Sequence, residues 1–286
     1  MSKEIKVPAG QTLAQVLKMG EDVLVEAGVP EAALNAWYLF AHCFRTDRSR
    51  YFLDRDRDAD QQACERFEKA IDKRCSRIPL EHITNETEFM GLPFYVDERV
   101  LIPRQDTECL VEEALTLAQG KKVLDLCTGS GCIGVSIAAL GKPEEVVLAD
   151  ISPEALEVAG RNAEDNRVMV RLCQSDLLTE IGEKFDVIVS NPPYIASAVI
   201  PELMPEVRDH DPLLALDGGK DGLDLYRRII KDAPEHLSSG GWLLFEIGYD
   251  QGEDLKKLMC DAGFEKVQIK KDLARMDRIA MGQYIY

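Results

Sequence analysis

Beyond residue 121, short apolar runs alternate with amphipathic stretches, and this alternation restricts the fold more than any other feature. Strand-like runs fall at 123–126, 146–149, 168–172, 185–189 and 242–247, with helical spacing at about 132–140, 153–165, 222–237 and 250–262. Parallel strands need a long crossover, so this order implies a mostly parallel sheet covered by helices on both faces. Residues 267–271 and 278–284 are two more strand-like runs joined by a short polar turn, a link that permits only antiparallel pairing. The expectation is an α/β fold: a seven-stranded, mostly parallel Rossmann-like sheet with an antiparallel last strand.

Upstream the periodicity is helical. Leu13, Val16, Leu17, Val23 and Leu24 share one face over residues 12–28, and Leu34, Trp37, Tyr38, Ala41 and Phe44 share another over 31–45. A third stretch, 59–77, follows around Ala63, Phe67, Ala70 and Ile71. These read as a small helical bundle whose aromatic stripe is core. Residues 86–102 then carry β-branched and aromatic residues about a turn at 91–93, the pattern of a β-hairpin. The expected organisation is a helical partner-binding domain over 1–80, a hairpin linker over 81–104 and a larger catalytic domain over 105–286.

Composition excludes several classes. No apolar run approaches the ~18–20 residues of a membrane span, and the N-terminus has no apolar signal core, so a cytoplasmic protein is expected. The eight cysteines form no C-x-x-C pair and the four histidines are scattered. Reduced, mostly buried thiols are expected and no metal site. The net charge is −17, yet the first 80 residues hold thirteen basic and thirteen acidic side chains, so the acidic excess lies in the later part. Such a surface repels a phosphate backbone and argues against a nucleic-acid partner. The arginines at 45, 48, 50, 55 and 57 interleave with aspartates at 47, 54, 56 and 58, which makes a solvated mixed-charge face.

Two segments carry chemistry. The first runs from a buried strand through Asp125, Leu126, Cys127, Thr128, Gly129, Ser130 and Gly131 into a helix, with Asp150 closing the next strand. Glycines let a ligand approach the backbone, and ligands of open α/β sheets sit at the carboxyl ends of strands. Asp150 is placed to accept hydrogen bonds from both ribose hydroxyls. The pattern alone also suits a nicotinamide dinucleotide. Asp125 tilts the choice, because a carboxylate there repels a pyrophosphate but suits a ligand carrying an ammonium and a sulfonium. Asp176, after the third strand, is placed to meet an adenine amino group.

The second segment is Asn191-Pro192-Pro193-Tyr194, directly after the strand at 185–190. Consecutive prolines fix φ and remove donors, leaving carbonyl acceptors in set directions. The Asn191 side-chain oxygen and the Pro192 carbonyl can each accept one N–H of a planar amino group, which directs its lone pair at an incoming methyl. Tyr194 can pack against the planar group. In-line placement supplies most of the acceleration such a transfer needs.

Together these residues resemble the class I methyltransferases and, more narrowly, the bacterial release factor glutamine methyltransferases of the HemK/PrmC type. Residues 89–92 and 100–108 resemble that family's hairpin and linker, 124–131 its methionine loop, 190–194 its substrate motif, and 215–219 with 221–223 its later loop. The resemblance spans nearly the whole chain. It implies S-adenosylmethionine as cofactor, held by residues 127–131, Asp150 and Leu177, with Asn191 touching both cofactor and target. It implies that residues 191–194 hold the glutamine amide of a Gly-Gly-Gln motif in class I peptide chain release factors. It also implies that the helical domain helps grip that partner; a monomer is expected.

Three positions depart from the family pattern. Cys127 and Gln105 stand where glycine and proline are usual, and Leu177 where an aromatic residue is frequent. The competing readings are a glutamine methyltransferase for a ribosomal protein, a DNA adenine-N6 methyltransferase, a nucleoside-binding adaptor and a dinucleotide oxidoreductase.

Overall fold

The computed structural model describes residues 5–286. The described residues up to Asn85 form one compact unit together with Met204–His210, and Glu86–Leu203 with Asp211–Tyr286 form a second.

The first unit is helical: α1 (Leu13–Glu26), α2 (Ala32–Phe44), α3 (Arg48–Asp54), α4 (Gln61–Cys75) and α5 (Leu80–Thr84). Side chains set the helix starts. Thr12 and Gln15 form a reciprocal capping box on α1, and Asp60 Oδ1 accepts the Ala63 amide at 2.9 Å to start α4. Leu24, Leu39, Phe40, Phe67 and Ile71 make the core. The aromatic stripe is only partly core: Phe40 is fully buried and stacks on Phe44 at 4.3 Å, but half of Tyr38 faces solvent. The expected mixed-charge face folds as α3, which buries no residue and packs Tyr51 edge-on against Trp37 and Phe40. Glu206 belongs to this unit, its carboxylate held by Arg74 Nη2 at 2.9 Å and Arg77 Nη2 at 2.8 Å. Arg74 Nε in turn donates to Asn35 Oδ1 at 2.8 Å.

The second unit opens with a hairpin of β1 (Thr87–Phe89) and β2 (Leu92–Phe94), whose Phe89 and Phe94 enter the core beside α6 (Gln105–Ala118). Alternating elements follow: β3 (Lys122–Leu126), α7 (Cys132–Leu140), β4 (Glu145–Asp150), α8 (Pro153–Asp165), β5 (Arg171–Gln174) and β6 (Phe185–Ser190). After the short α9 (Pro205–Arg208) come α10 (Asp224–His236), β7 (Leu237–Glu246), α11 (Gly252–Asp261), β8 (Glu265–Lys271) and β9 (Asp277–Tyr284). The sheet order is β5-β4-β3-β6-β7-β9-β8, with β9 antiparallel to both neighbours and the other pairs parallel. The expected sheet is therefore present.

Three local expectations need correction. The third strand begins at Arg171, not 168: Val168 and Val170 pack against the core before pairing starts, and the paired residues lie on an exposed edge. Helix α6 was not anticipated, although Leu110, Val111, Ala114 and Ala118 bury one face of it. The thiols are less buried than expected: Cys43, Cys64 and Cys132 are buried, Cys75, Cys109, Cys127 and Cys173 partly so, and Cys260 is exposed.

Candidate active site

The order of strands reverses between β3 and β6, and their carboxyl ends lie in register, Leu126 opposite Ser190. Such a reversal opens a crevice at the sheet edge. The glycine loop leaves β3 there, Asn191 leaves β6, and Asp150 ends β4 next to β3. The topology thus gathers residues 125–131, Asp150 and residues 191–194 at one edge.

Asp125 is wholly buried under the loop. Its Oδ2 accepts the Thr128 hydroxyl at 2.5 Å and the Gly134 amide at 2.8 Å, while Oδ1 has no hydrogen-bond partner among the described residues. Burial, with Asp150 adding to it, pushes its carboxyl up to about 7 against the pull of those two donors. The close approach explains Gly134: a Cβ there would sit 2.1 Å from Leu148 Cδ2 and 3.0 Å from Asp125 Oδ2. Asp150 accepts the Gly129 amide on Oδ2 at 2.8 Å and the Ser152 amide on Oδ1 at 3.0 Å, which pins the loop to β4. Burial raises its carboxyl despite those amides. Ser130 is buried, and its carbonyl accepts Asn162 Nδ2 at 2.8 Å.

The three departures acquire local explanations. Cys127 takes φ +60°, the left-handed region where glycine is at ease, so a side chain is accommodated at the cost of strain. Gln105 is the first residue of α6, where proline is favoured but not required. Leu177 also has a left-handed φ of +54° and packs in the core. Asp176 is half-exposed and its Oδ2 pairs with Arg228 Nη2 at 2.8 Å, so that oxygen already has a partner.

Pro192 and Pro193 are buried, and Asn191 and Tyr194 partly so. Asn191 Nδ2 points at Thr107 Oγ1, 3.5 Å away in the first turn of α6. The Tyr194 hydroxyl donates to Glu246 Oε1 at 3.3 Å, at the end of β7. The loop 213–222 is laid along this segment: Ile195 N donates to Leu216 O at 3.0 Å and Gly218 N to Ile195 O at 2.9 Å. A Cβ on Gly222 would lie 2.3 Å from the Tyr194 carbonyl oxygen, so only glycine fits there. Gln251 Nε2 donates to that same oxygen at 3.1 Å.

Thr107, Glu246 and Gln251 were not singled out from sequence. The first two stand within the segments 100–108 and 242–247, but nothing in their spacing marks them, and only the fold brings them to residues 191–194. Among the described residues no cluster of three or more metal-ligating side chains occurs.

Comparison with known proteins identifies the family. Residues 105–205 match the family model described as methyltransferase small domain, and residues 15–84 match the PrmC N-terminal domain. A release factor glutamine methyltransferase of Clostridium acetobutylicum is 42% identical, covering 85% of this chain and 88% of that protein. One of Geobacter sulfurreducens is 40% identical over 95% of this chain and 96% of its own length. Among solved structures, a methyltransferase from Pyrococcus furiosus superposes with a TM-score of 0.55 at 20% identity, covering 69% of this chain and 91% of its own, a likeness of fold. Identity of this degree over nearly the whole length means that the chain belongs to the release factor glutamine methyltransferase family.

Proposed function

We propose that this protein transfers a methyl group from S-adenosylmethionine to the side-chain amide nitrogen (N5) of the glutamine in the Gly-Gly-Gln motif of class I release factors. The observation that carries the reading is the emergence of Asn191-Pro192-Pro193-Tyr194 from β6 beside the glycine loop of β3.

The chain's own residues fit such a cofactor. A buried carboxylate with one unpartnered oxygen, Asp125, suits a ligand bearing an ammonium and a sulfonium, and a second acid at the end of β4, Asp150, suits the hydroxyls of its ribose. Residues 127–131, Asp150, Asp176, Leu177 and Asn191 would hold it. When bound, it supplies a methyl carbon on positively charged sulfur, which departs as a neutral thioether.

The remaining work is orientation. Asn191 Oδ1 and the Pro192 carbonyl each accept one N–H of the glutamine amide, drawing the nitrogen's lone pair out of conjugation. Tyr194 covers the amide plane. No strong base is required before transfer: as the sulfonium leaves as a neutral thioether, the positive charge passes to the N-methylated amide, which is strongly acidic and gives its extra proton to water. We further propose that the helical unit grips the release factor, that the enzyme acts as a monomer in the cytoplasm, and that it needs no nucleic acid. The acidic excess supports the last point.

The test is transfer of labelled methyl to purified release factor, run beside the same factor with its Gly-Gly-Gln glutamine changed to alanine. Label on the unaltered factor alone is the expected result; label appearing instead on ribosomal proteins or on DNA would replace the proposed substrate. In that assay Asn191→Ala should lower turnover by at least about a hundredfold, the scale of losing an orienting polar contact, while cofactor affinity stays within about tenfold. Turnover near wild type would remove Asn191 from its role.

A further inference from the structure

We propose that Gln251 is a positioning residue whose amide holds residues 191–194 against the loop 213–222, so that Tyr194 meets the acceptor in one fixed place. The inference rests on the reading in which residues 191–194 seat the glutamine amide. Pro192 and Pro193 have no N–H of their own. The segment can be anchored there only through carbonyls and side chains, so the donors have to come from elsewhere in the fold.

Gln251 supplies them. It stands at the start of α11, a helix fixed to the core by Leu255 and Met259, and is itself buried. Its Nε2 donates to the Tyr194 carbonyl at 3.1 Å and to the Gly222 carbonyl at 3.3 Å, while Oε1 accepts the Gly248 amide at 2.9 Å. Both ends of the amide thus have partners, and the partners decide which end is which. Turned over, the amide would set its oxygen against two carbonyls and its N–H groups against another N–H. One side chain therefore ties together three separate stretches: the segment after β6, the end of the loop 213–222 and the turn after β7.

The surroundings leave this tie no slack. A Cβ on Gly218 would lie 2.7 Å from both the Pro193 oxygen and Tyr194 Cα, and one on Gly248 would lie 3.0 Å from Gln251 Oε1. Loop and segment touch backbone to backbone, and the bonds from Ile195 N to Leu216 O and from Gly218 N to Ile195 O close the seam. Tyr194 is held at its other end by Glu246 Oε1, 3.3 Å from its hydroxyl. With its carbonyl and its hydroxyl both tethered, the ring has a set place beside the acceptor. Displacing such a seat by about 1 Å can cost about a hundredfold in rate.

Gln251→Glu tests the donors alone. It keeps the length and the oxygen that accepts the Gly248 amide, but sets a second oxygen against two carbonyls. Gln251→Met removes all three bonds at similar volume. Both would be assayed beside wild type for kcat and KM on release factor, for S-adenosylhomocysteine affinity by calorimetry, and for hydrogen exchange at the amides of Ile195, Gly218 and Leu124, the last in β3. Both variants are expected to lower kcat at least about tenfold, with nucleoside affinity within about threefold. Exchange at Ile195 and Gly218 should quicken at least about tenfold while Leu124 is unchanged. Wild-type kcat in Gln251→Glu would overturn the proposal, and so would wild-type exchange at Ile195 and Gly218. Parallel losses of turnover and nucleoside affinity, or faster exchange at Leu124 as well, would also overturn it by showing a general loosening of the fold. Should wild type itself transfer no label to the factor, the substrate reading falls, and the exchange rates alone decide whether Gln251 holds the segment.

Discussion

At Cys127 two opposing effects can be weighed. The left-handed φ of +60° costs an L-residue about 1–2 kcal/mol, which glycine would relieve. Glycine would also free the unfolded chain by about 0.5–1 kcal/mol and give up the thiol's packing against the core. The effects nearly offset, so Cys127→Gly should lie within about 1 kcal/mol of wild type in urea unfolding. Cys127→Val, β-branched in a region such residues avoid, should lose about 2 kcal/mol. A valine variant with the wild-type midpoint would contradict the left-handed geometry. Asp125 makes a prediction about pH. Its folded carboxyl, raised to about 7, holds its proton more tightly than in the unfolded chain. The stability it contributes is fully present below the unfolded value near 4 and is lost as pH rises through about 7. An ammonium beside it would favour the ionised form, so ligand binding should expel a proton. S-adenosylhomocysteine affinity should therefore rise about tenfold between pH 6 and 8 and then level off, while Asp125→Asn shows a flat profile. A flat wild-type profile would detach Asp125 from the ligand.

Between elements, the Glu206 clasp is the clearest lever. Glu206 of α9 is held by Arg74 of α4 and by Arg77, and the Arg74 side chain is only 7% exposed. Burial pushes the Glu206 carboxyl up, but the bonds from Arg77 and Arg74 outweigh it and hold it below its ordinary value. Glu206→Gln keeps the shape and removes the charge, leaving a buried guanidinium without its counter-ion. Breaking such a pair costs about 3–5 kcal/mol; Arg77 is partly solvated and one hydrogen bond survives, so about 2 kcal/mol is expected at neutral pH. An unchanged urea midpoint would show that the clasp adds nothing. The folded value is depressed, so the clasp's contribution is present above the unfolded carboxyl range and fades as pH falls through the folded one. None of this was legible in sequence, because Glu206 lies 132 residues from Arg74. What was legible is local. β3, β4 and β6 are buried strands with largely apolar runs, and α8 has helical spacing and a clear start in Ser152 followed by Pro153. β5 slipped because its apolar lead-in packs before pairing begins. Residues 125–131 and 191–194 were visible as motifs because each is continuous in the chain. Thr107, Glu246 and Gln251 come singly from α6, from β7 and from the turn before α11, so only the folded contacts bring them forward.

Over the whole molecule the quantity that bears on the partner is charge. The −17 net charge resides beyond residue 80, in the part of the chain that holds the glycine loop and residues 191–194. Chemistry on an exocyclic amine would serve adenine as well as glutamine, so the site's geometry does not by itself choose between them. Long-range electrostatics weighs against the polyanion and favours the protein target proposed above. A protein that docks on a duplex by neutralising six to ten phosphates loses about 10³–10⁵ in affinity between 50 and 200 mM salt, because each contact releases a counterion. A surface with this excess of carboxylates has no such reserve of cations, and its approach to a polyanion is repulsive at low salt, where screening is weakest. A protein partner is recognised by shape and by hydrogen bonds, with steering charges that affect the association rate more than the affinity. Turnover on release factor should accordingly change by less than about tenfold over that salt range, and a large excess of duplex DNA should not inhibit it. A fall of a hundredfold or more, together with inhibition by DNA, would mean that a local cluster such as the arginines of α3 overrides the global field, and would bring a nucleic-acid substrate back into contention.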